Sequence, residues 1–174
     1  CSKMMQTIIK CPKPIIAEVA GTATAAGCQL VASCDLAYAS SSAKFATPGV
    51  NIGLFCSTPM VAISRNLSNK HSMEMLLTGE LISSDKAAKI GLINDVIEIN
   101  ELKDFVLDKA KKISKKSSVT LKIGKEAFYK QLDMKLSDAY DYASKVMVQN
   151  MLKLDAKEGI DAFIDKREPN WKDK

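Results

Sequence analysis

The residues whose types and spacing best suit chemistry lie in the small-residue segment GTATAAGCQL, residues 21–30. This segment follows an apolar run, PIIAEV at 14–19, and has helical spacing from residue 25 onward. The first turn of a helix offers unpaired N–H groups at the positive end of its dipole, and small side chains leave those groups open to a ligand carbonyl. Small residues also let a helix pack closely on a sheet. The sequence leaves both explanations open.

Other polar or reactive side chains near this segment have simpler structural explanations. Glu18 lies in a buried-looking strand, where we expect it to pair with a lysine or reach solvent rather than face a pocket. Cys28 and Cys56 have no evident cationic neighbour to lower the thiol pKa, so we expect buried small side chains rather than nucleophiles. Asp35 is expected to serve a turn or a cap.

Hydroxyl, imidazole and thiol groups elsewhere add little chemistry. Ser57 or Thr58 is expected to cap the next helix, although either hydroxyl could hold a water in the site. The single histidine, His71, is expected on a helix surface. With one histidine and five cysteines that show no C-x-x-C spacing, neither a metal site nor a histidine-based triad is predicted. The cysteines indicate reduced thiols in a reducing compartment.

Composition narrows the classes of partner. A chain of 174 residues with 47% hydrophobic content is long enough for one domain with a substantial core. Lys and Arg outnumber Asp and Glu by 25 to 20, but only 6% of residues are aromatic and no basic run is interleaved with them, which argues against nucleic acid. No apolar run approaches the roughly 20 residues that span a bilayer, so no membrane partner is expected.

The elements that must position the small-residue segment form a β-rich first third and a helical remainder. A helix over 2–10 precedes the strand PIIAEV, and a helix over 25–34 leads to strands in 35–40 and 43–48, which is typical of a βαβ crossover in a mostly parallel sheet. The later predicted elements are helices over about 57–67, 69–78 and 84–90, a strand within 92–99, and long helices over about 101–115, 118–132 and 137–153.

Four ordered segments resemble successive landmarks of the crotonase superfamily, the enoyl-CoA hydratases and isomerases. They are PIIAEVAGTATAAGCQLVASCDLAYAS, AKFATPGVNIGL, MLLTGELISSDKAAKIGLINDVI and EGIDAFIDKREPNW. Within the superfamily they look most like the enoyl-CoA hydratase domain-containing protein 3 group. The resemblance implies an α/β, ClpP/crotonase-like fold, a spiral of ββα units with a helical C-terminal part. It assigns 1–99 to the C-terminal portion of the core and 100–174 to trimerisation and CoA contact, with the N-terminal part of the fold preceding Cys1.

The resemblance also implies a substrate class and an assembly. Members of the superfamily bind acyl-CoA thioesters and hold the thioester oxygen of an enolate-like intermediate with two backbone N–H groups. One donor falls on Ala26 here, and the other belongs to a segment upstream of Cys1. CoA is then part of the substrate, and no separate cofactor is expected. The implied assembly is a homotrimer or a dimer of trimers, and the implied location is the bacterial cytoplasm or the mitochondrial matrix.

The two glutamates that hydratases of this family use fall on Gln29 and Gly49. A glutamine can orient a water molecule but cannot take its proton, and a glycine has no side chain. Loss of a general acid or base typically costs about 10² to 10⁴ in rate, so ordinary hydration is expected to be weak. Relatives that isomerise double bonds with a single carboxylate usually have that carboxylate at the position of Gly49, so simple isomerisation is also doubtful. The remaining hypotheses are an acyl-CoA enzyme with altered acid–base chemistry and a non-catalytic acyl-CoA-binding or regulatory protein.

The last segment, GIDAFIDKREPNW, resembles the helix with which family members contact the CoA nucleotide, often on a neighbouring subunit. Phe163 and Lys166 match the aromatic residue and the lysine of that helix. The alternative is an amphipathic helix whose Ile160, Phe163 and Ile164 pack on the core, and both interpretations can hold together.

Overall fold

The computed structural model describes residues 1–174, which divide into two units: Cys1–Ile9 with Ile15–Ala110, and Lys10–Pro14 with Lys111–Lys174. In chain order the elements are α1 (Ser2–Lys10), β1 (Ile16–Val19), β2 (Ala23–Thr24), α2 (Ala26–Ser33), β3 (Leu36–Ser40), β4 (Lys44–Ala46), a 3-10 helix (Pro48–Ile52), α3 (Ser57–Ile63), α4 (Asn69–Thr78), β5 (Ile82–Ser83), α5 (Ser84–Ile90), β6 (Asp95–Ile97), α6 (Ile99–Ser114), α7 (Ser118–Gln131), α8 (Leu136–Met151) and α9 (Leu154–Ile164). None of the helices combines the length and apolar character needed to cross a bilayer.

The first unit contains two three-stranded sheets. One has the order β1-β3-β6 and is parallel throughout, with Ile16 opposite Leu36. β1, α2 and β3 therefore form the predicted βαβ crossover. The other has the order β2-β4-β5 and pairs β2 parallel with β4 and β4 antiparallel with β5. The expectation of mostly parallel pairing is confirmed, since three of the four strand pairs are parallel. The second sheet was not predicted, because β2 and β5 are two-residue strands that show no sequence pattern.

One buried cluster joins α2 to the strands and helices around it. Its fully buried members include Cys28 of α2, Phe45 of β4 and Ile63 of α3. Ala37 and Ala39 of β3 belong to the same cluster. Burial of these side chains removes apolar surface from water and fixes α2 in place, so the helix start is held by the core rather than by a cap of its own.

Helix α4 has a side-chain cap at its start, whereas the cap predicted for α3 is absent. The Ser68 hydroxyl accepts the His71 N–H at the start of α4, and α4 ends at Gly79 in the left-handed region (φ 62°). By contrast, Ser57 and Thr58 do not cap α3: the N-cap residue is Cys56, no side chain caps the helix, and the Ser57 hydroxyl donates to the Phe55 carbonyl at 3.3 Å. Helix α3 also ends at Ile63 rather than near Leu67.

The second unit contains α7, α8, α9 and the C-terminal residues. Neither α7 nor α8 has a buried residue, whereas Asp155 and Ala162 of α9 are buried. Large apolar side chains on α8 are strongly exposed: Leu136, Tyr140, Met147, Val148 and Met151. The hydrophobic side chains of these helices therefore do not form a closed core within the unit.

Candidate functional site

The candidate site of the first unit lies at one edge of the small mixed sheet. β2 and β4 are parallel, with Thr24 opposite Ala46. Helix α2 begins two residues after Thr24, and the 3-10 helix begins two residues after Ala46. Because the carboxyl ends of parallel strands meet at one edge, the starts of both helices leave the same edge of the sheet. The topology thus places Ala26 and Gly49 at a common edge, as a site built from both segments requires.

The start of α2 offers backbone donors without acceptors. The Ala25 N–H is bound to the Ala46 carbonyl at 2.9 Å, and the helical ladder begins with the Gln29 N–H on the Ala25 carbonyl, also at 2.9 Å. No side chain caps this helix. The N–H groups of residues 26–28 are therefore unpaired within the helix, and Ala26 is exposed. Such a helix end favours an anion or a carbonyl oxygen that gains negative charge.

Ala25 turns the chain into this helix at a strained backbone position, with φ 47° and ψ −111°. A positive φ is rare for a residue with a side chain, and such strain persists only where the surroundings enforce it. Here the hydrogen bond to Ala46 and the packing of α2 enforce it. No sequence signal reveals this strain, because alanine rarely occupies such a backbone conformation.

Close packing within this chain accounts for neither glycine of the small-residue segment. A Cβ at Gly21 would meet nothing within 4 Å, and one at Gly27 would only make ordinary contact with the Ala23 Cβ at 3.8 Å. An added methyl group would therefore fit at these two positions within this chain, so core packing alone does not require a glycine at either.

Gln29 lies one helical turn beyond Ala26 and is 4% exposed. Its Oε1 is 3.6 Å from the Cys1 Sγ, which donates to it, and its carbonyl accepts the Ser33 hydroxyl at 2.8 Å. The amide is thus buried and uncharged, with one weak partner for its side-chain oxygen. It can donate or accept a hydrogen bond but cannot act as a general base.

Gly49 sits inside a tight backbone turn that leaves no room for a side chain. Its N–H donates to the Cys56 Sγ at 3.3 Å, and its carbonyl accepts the Leu54 N–H at 2.9 Å. A Cβ at this position would lie 2.5 Å from the Leu54 carbonyl oxygen and 2.9 Å from the Cys56 Sγ. The turn formed by residues 49–56, here called the Gly49 turn, therefore excludes a glutamate at 49 unless the backbone moves. The sequence shows that residue 49 has no carboxylate, but it does not show that the turn leaves no room for one.

The two thiols near the site are structural. Cys28 is fully buried, and burial, followed by the nearby Cys56, raises the pKa of its thiol to about 12. It is therefore neutral near pH 7 and is not a nucleophile. Cys56 is 8% exposed and accepts the Gly49 N–H, so it stabilises the Gly49 turn. Both observations agree with the expectation of small buried side chains.

The other sequence candidates lie outside the site or hold the backbone. Glu18 is exposed on β1, in agreement with the expectation that it reaches solvent. Asp35 accepts the Ile15 N–H at 2.7 Å, so it joins the segments that precede β1 and β3 rather than serving the expected local turn or cap. His71 is half-exposed on α4 and lies 3.8 Å from Glu74. No group of three or more His, Cys, Asp or Glu side chains is placed to hold a metal ion.

In the second unit, Phe163 and Lys166 lie at the exposed end of α9. Phe163 is 85% exposed and Ile164 is 69% exposed, so the alternative in which they pack on the core of this chain is wrong. Lys166 occupies the left-handed region, with φ 54°. Its N–H donates to the Phe163 carbonyl at 3.3 Å and the Arg167 N–H to the Ala162 carbonyl at 3.0 Å, which is a Schellman motif with lysine in the place usual for glycine.

A C-terminal strap, residues 167–173, follows this turn and is bound back along α9. Arg167 makes a two-pronged ion pair with Glu158, with Nη1–Oε1 2.7 Å and Nη2–Oε2 3.0 Å, and Glu158 also accepts the Asn170 N–H at 2.7 Å. The buried Asp155 carboxylate accepts the N–H groups of Lys172 and Asp173 at 2.7 and 3.1 Å. The strap thus joins both ends of α9.

The strap also caps neighbouring helices. The Trp171 Nε1 donates to the Lys115 carbonyl at 2.7 Å, just after α6. The Asp173 carboxylate accepts the Ser118 N–H at 2.9 Å and the Ser118 hydroxyl at 2.7 Å, at the start of α7. These contacts join residues more than fifty positions apart, so nothing in the local sequence pattern revealed them.

Comparison with known proteins identifies the family of the chain. Residues 1–174 match the family model described as enoyl-CoA hydratase/isomerase. The chain is 53% identical over 171 residues to the rat enoyl-CoA hydratase domain-containing protein 3, mitochondrial, which covers 98% of this chain and 57% of the relative. It is 33% identical over 162 residues to the orangutan (Pongo abelii) enoyl-CoA hydratase, mitochondrial, which covers 92% of this chain and 56% of the relative.

Solved structures show the same fold. The crystal structure of the Mycobacterium smegmatis enoyl-CoA hydratase matches with TM-score 0.96 and 47% identity, over 98% of this chain and 66% of that one. The crystal structure of human enoyl coenzyme A hydratase domain-containing protein 3 matches with TM-score 0.96 and 51% identity, over 98% of this chain and 68% of that one. The chain spans little more than half the length of the curated relatives it matches. The resemblance drawn from the sequence motifs is confirmed: the chain belongs to the enoyl-CoA hydratase/isomerase family and has the α/β crotonase fold.

Proposed function

We propose that the protein binds acyl-CoA thioesters and polarises the thioester carbonyl at the start of α2. The observation that carries the proposal is the exposed, uncapped end of α2, where the N–H groups of residues 26–28 have no acceptor in the helix. A thioester oxygen that gains negative charge can accept the Ala26 N–H there. The open space at Gly21 supports the same proposal, because it leaves an approach to the backbone.

The acid–base chemistry that this site can supply is limited. Gln29 is buried and uncharged, and the Gly49 turn provides no side chain. An enzyme with these residues would use the backbone donors together with water or neutral hydrogen-bonding groups, so we expect ordinary hydration of enoyl-CoA thioesters to be slow. CoA enters as part of the substrate, and the proposal includes no separate cofactor.

A proline at position 26 tests the proposal directly. Ala26→Pro removes one N–H group at the first helical position, where proline is otherwise well tolerated. We expect weaker binding of a short acyl-CoA by calorimetry, and a fall of about 10² to 10³ in any turnover of crotonyl-CoA. Gly27→Ala is the matched control, since its added methyl makes only ordinary contact and its N–H remains. Unchanged acyl-CoA binding by a folded Ala26→Pro protein would contradict the proposed role of this donor.

A non-catalytic acyl-CoA-binding or regulatory role is the second candidate, and the Gly49 turn favours it. The backbone itself excludes a carboxylate at 49. Exchange of that one side chain would therefore not be enough to place a carboxylate there. Binding of acyl-CoA without release of any product from crotonyl-CoA favours this role. Detectable hydration or isomerisation favours the enzyme.

We also propose that Phe163 and Lys166 contact the nucleotide part of CoA, and that the protein forms a trimer or a dimer of trimers. The exposure of Phe163 and the left-handed backbone at Lys166 support the first proposal. The exposed apolar side chains of α8 support the second. A reducing compartment, the mitochondrial matrix or a bacterial cytoplasm, fits the five free cysteines and the mitochondrial names of the vertebrate relatives.

A further inference from the structure

We propose that the Glu158–Arg167 ion pair is a positioning device, which fixes the left-handed turn at Lys166 and thereby holds Phe163 and Lys166 ready for the nucleotide part of a CoA thioester. The inference rests on the proposed function. It assigns Glu158 and Arg167 a role through other residues, and not a contact with the ligand.

The geometry of the turn carries the inference. The residues that flank Lys166 are held on both sides: Phe163 accepts the Lys166 N–H, and Arg167 is bound through two nitrogens to one carboxylate. A two-pronged guanidinium–carboxylate pair fixes orientation as well as distance. Lys166 itself has a backbone conformation that lysine adopts only when its surroundings enforce it. The ion pair and the Schellman hydrogen bonds are those surroundings.

Charge supplies a second reason for the pair. Arg167 directly follows Lys166, and Glu158 neutralises it within 3.0 Å. The Glu158 carboxylate also accepts the Asn170 N–H of the strap, so a second hydrogen bond holds it in place. Lys166 is thus left as the unpaired cation of the turn, on an exposed helix end beside an exposed aromatic ring. A preformed contact of this kind binds more tightly because less side-chain ordering is required on binding.

Binding of two ligands that differ only in the nucleotide tests the proposal. An acyl-CoA and the matching acyl-pantetheine share the thioester and the pantetheine arm, but only the first has phosphates and adenosine. Dissociation constants for both are measured by calorimetry for the wild type, Glu158→Gln and Arg167→Lys. Glu158→Gln keeps an acceptor for Asn170 but removes the charge, and Arg167→Lys keeps the charge but lacks the fork. Asp161→Asn is the control, because it removes an exposed carboxylate of α9 that does not pair with Arg167.

We expect Glu158→Gln to weaken acyl-CoA binding about ten-fold, the equivalent of about 1.4 kcal/mol, and to leave acyl-pantetheine binding within about two-fold. Arg167→Lys should give a smaller loss of the same kind, and it makes the same comparison if Glu158→Gln fails to fold. Equal losses for both ligands would mean that the pair only stabilises the fold. A gain in acyl-CoA affinity would mean that the released Arg167 binds the phosphates itself. Either result overturns the inference.

The wild type separates this inference from the proposed function. If the wild type binds neither ligand, the proposed function fails and the inference fails with it. If it binds both equally well, acyl-CoA binding stands, but the nucleotide is not contacted and the positioning role is overturned.

Discussion

At the scale of single residues, the candidate site of the first unit depends on backbone groups more than on reactive side chains. Ala25 holds a strained turn, and the N–H groups that follow it are left unpaired. Gly49 has no room for a side chain because the Leu54 carbonyl and the Cys56 sulfur lie where its Cβ would be. The family resemblance directed attention to Ala26 and Gly49, yet the strain at Ala25 and the closed space at Gly49 arise from through-space contacts that no residue type reveals.

The Gly49 turn should not tolerate even a methyl group. We expect Gly49→Ala to lower the free energy of unfolding by about 1 to 3 kcal/mol, since overpacking of this size forces backbone shifts. Gly21→Ala is the control, with nothing within 4 Å of its Cβ, and should leave stability nearly unchanged. Chemical denaturation of the three proteins measures the difference. Equal stability of all three would show that the turn relaxes without cost.

Glycine at position 25 should make the protein more stable. Ala25→Gly removes the steric strain at φ 47°, which exceeds the added entropy cost of glycine, so we expect a gain of roughly 1 kcal/mol. For a chain of this length such a gain raises Tm by about 2 to 4 °C. Ala26→Gly, one position inside the helix, should instead lower Tm. Calorimetry of the pair reports whether the strain resides at 25.

At the scale of helices and strands, prediction from sequence succeeded where the pattern is long and locally marked. α7 and α8 recur within a few residues of their expected bounds, because each has several turns of apolar periodicity. β2 and β5 were missed because two residues cannot show alternation. The strap was missed because its contacts join distant segments, such as Ser118 with Asp173. Local signals do not encode such pairings.

Asp155 is the central acceptor of the strap. Asp155→Asn keeps one oxygen but presents an NH₂ group to backbone N–H donors, so we expect a loss of about 1 to 3 kcal/mol in stability. The exposed Asp133→Asn removes the same charge in the loop after α7 and should have little effect. Denaturant titrations compare the two. Hydrogen exchange at residues 172–173 should rise only in Asp155→Asn.

The strap should also make stability sensitive to acid. Arg167, with the Asn170 N–H, lowers the pKa of Glu158 to about 2, from an ordinary value of 4.5. Burial raises the pKa of Asp155, but the Ser117 hydroxyl and the N–H groups of Lys172 and Asp173 lower it more, so its pKa is also below the ordinary value. Carboxyls with lowered pKa stabilise the fold above their unfolded pKa and lose that effect as pH falls.

We therefore expect Tm to be insensitive to these groups above about pH 5 and to fall as pH decreases from 4.5 towards about 2. Glu158→Gln should lower Tm by a constant amount above about pH 5 and remove part of the slope below it, so that the two proteins converge in acid. A thermal scan at several pH values measures both. An identical slope in the two proteins would assign the acid sensitivity to other carboxyls.

At the scale of the whole molecule, exposed apolar side chains on α8 provide a surface that the proposed trimer could use. Leu136, Tyr140, Met147 and Met151 recur at spacings that place them on one face of α8, and all four are more than half exposed. Contiguous apolar surface of this kind is unusual on a monomer. The proposed trimer would cover such a face.

Met147→Glu tests the role of this face in association. A charge placed there should weaken self-association by about 10- to 100-fold, as expected for the loss of one buried apolar side chain at an interface. Gln149→Glu adds the same charge on the polar side of α8 and should leave the molar mass unchanged. Light scattering across a dilution series gives both values. A monomeric wild type at all concentrations would contradict the assembly.

The tight turn at Gly49 also bears on how this sequence can change over evolutionary time. A single exchange of Gly49 for glutamate places the new side chain against the Leu54 carbonyl and the Cys56 sulfur, so the first step costs stability before any carboxylate is useful. Any change that introduces a carboxylate at 49 must therefore reshape residues 54–56 before or together with position 49. A barrier of coupled substitutions thus separates the present sequence from one with a carboxylate at this position, so the glycine should be slow to change.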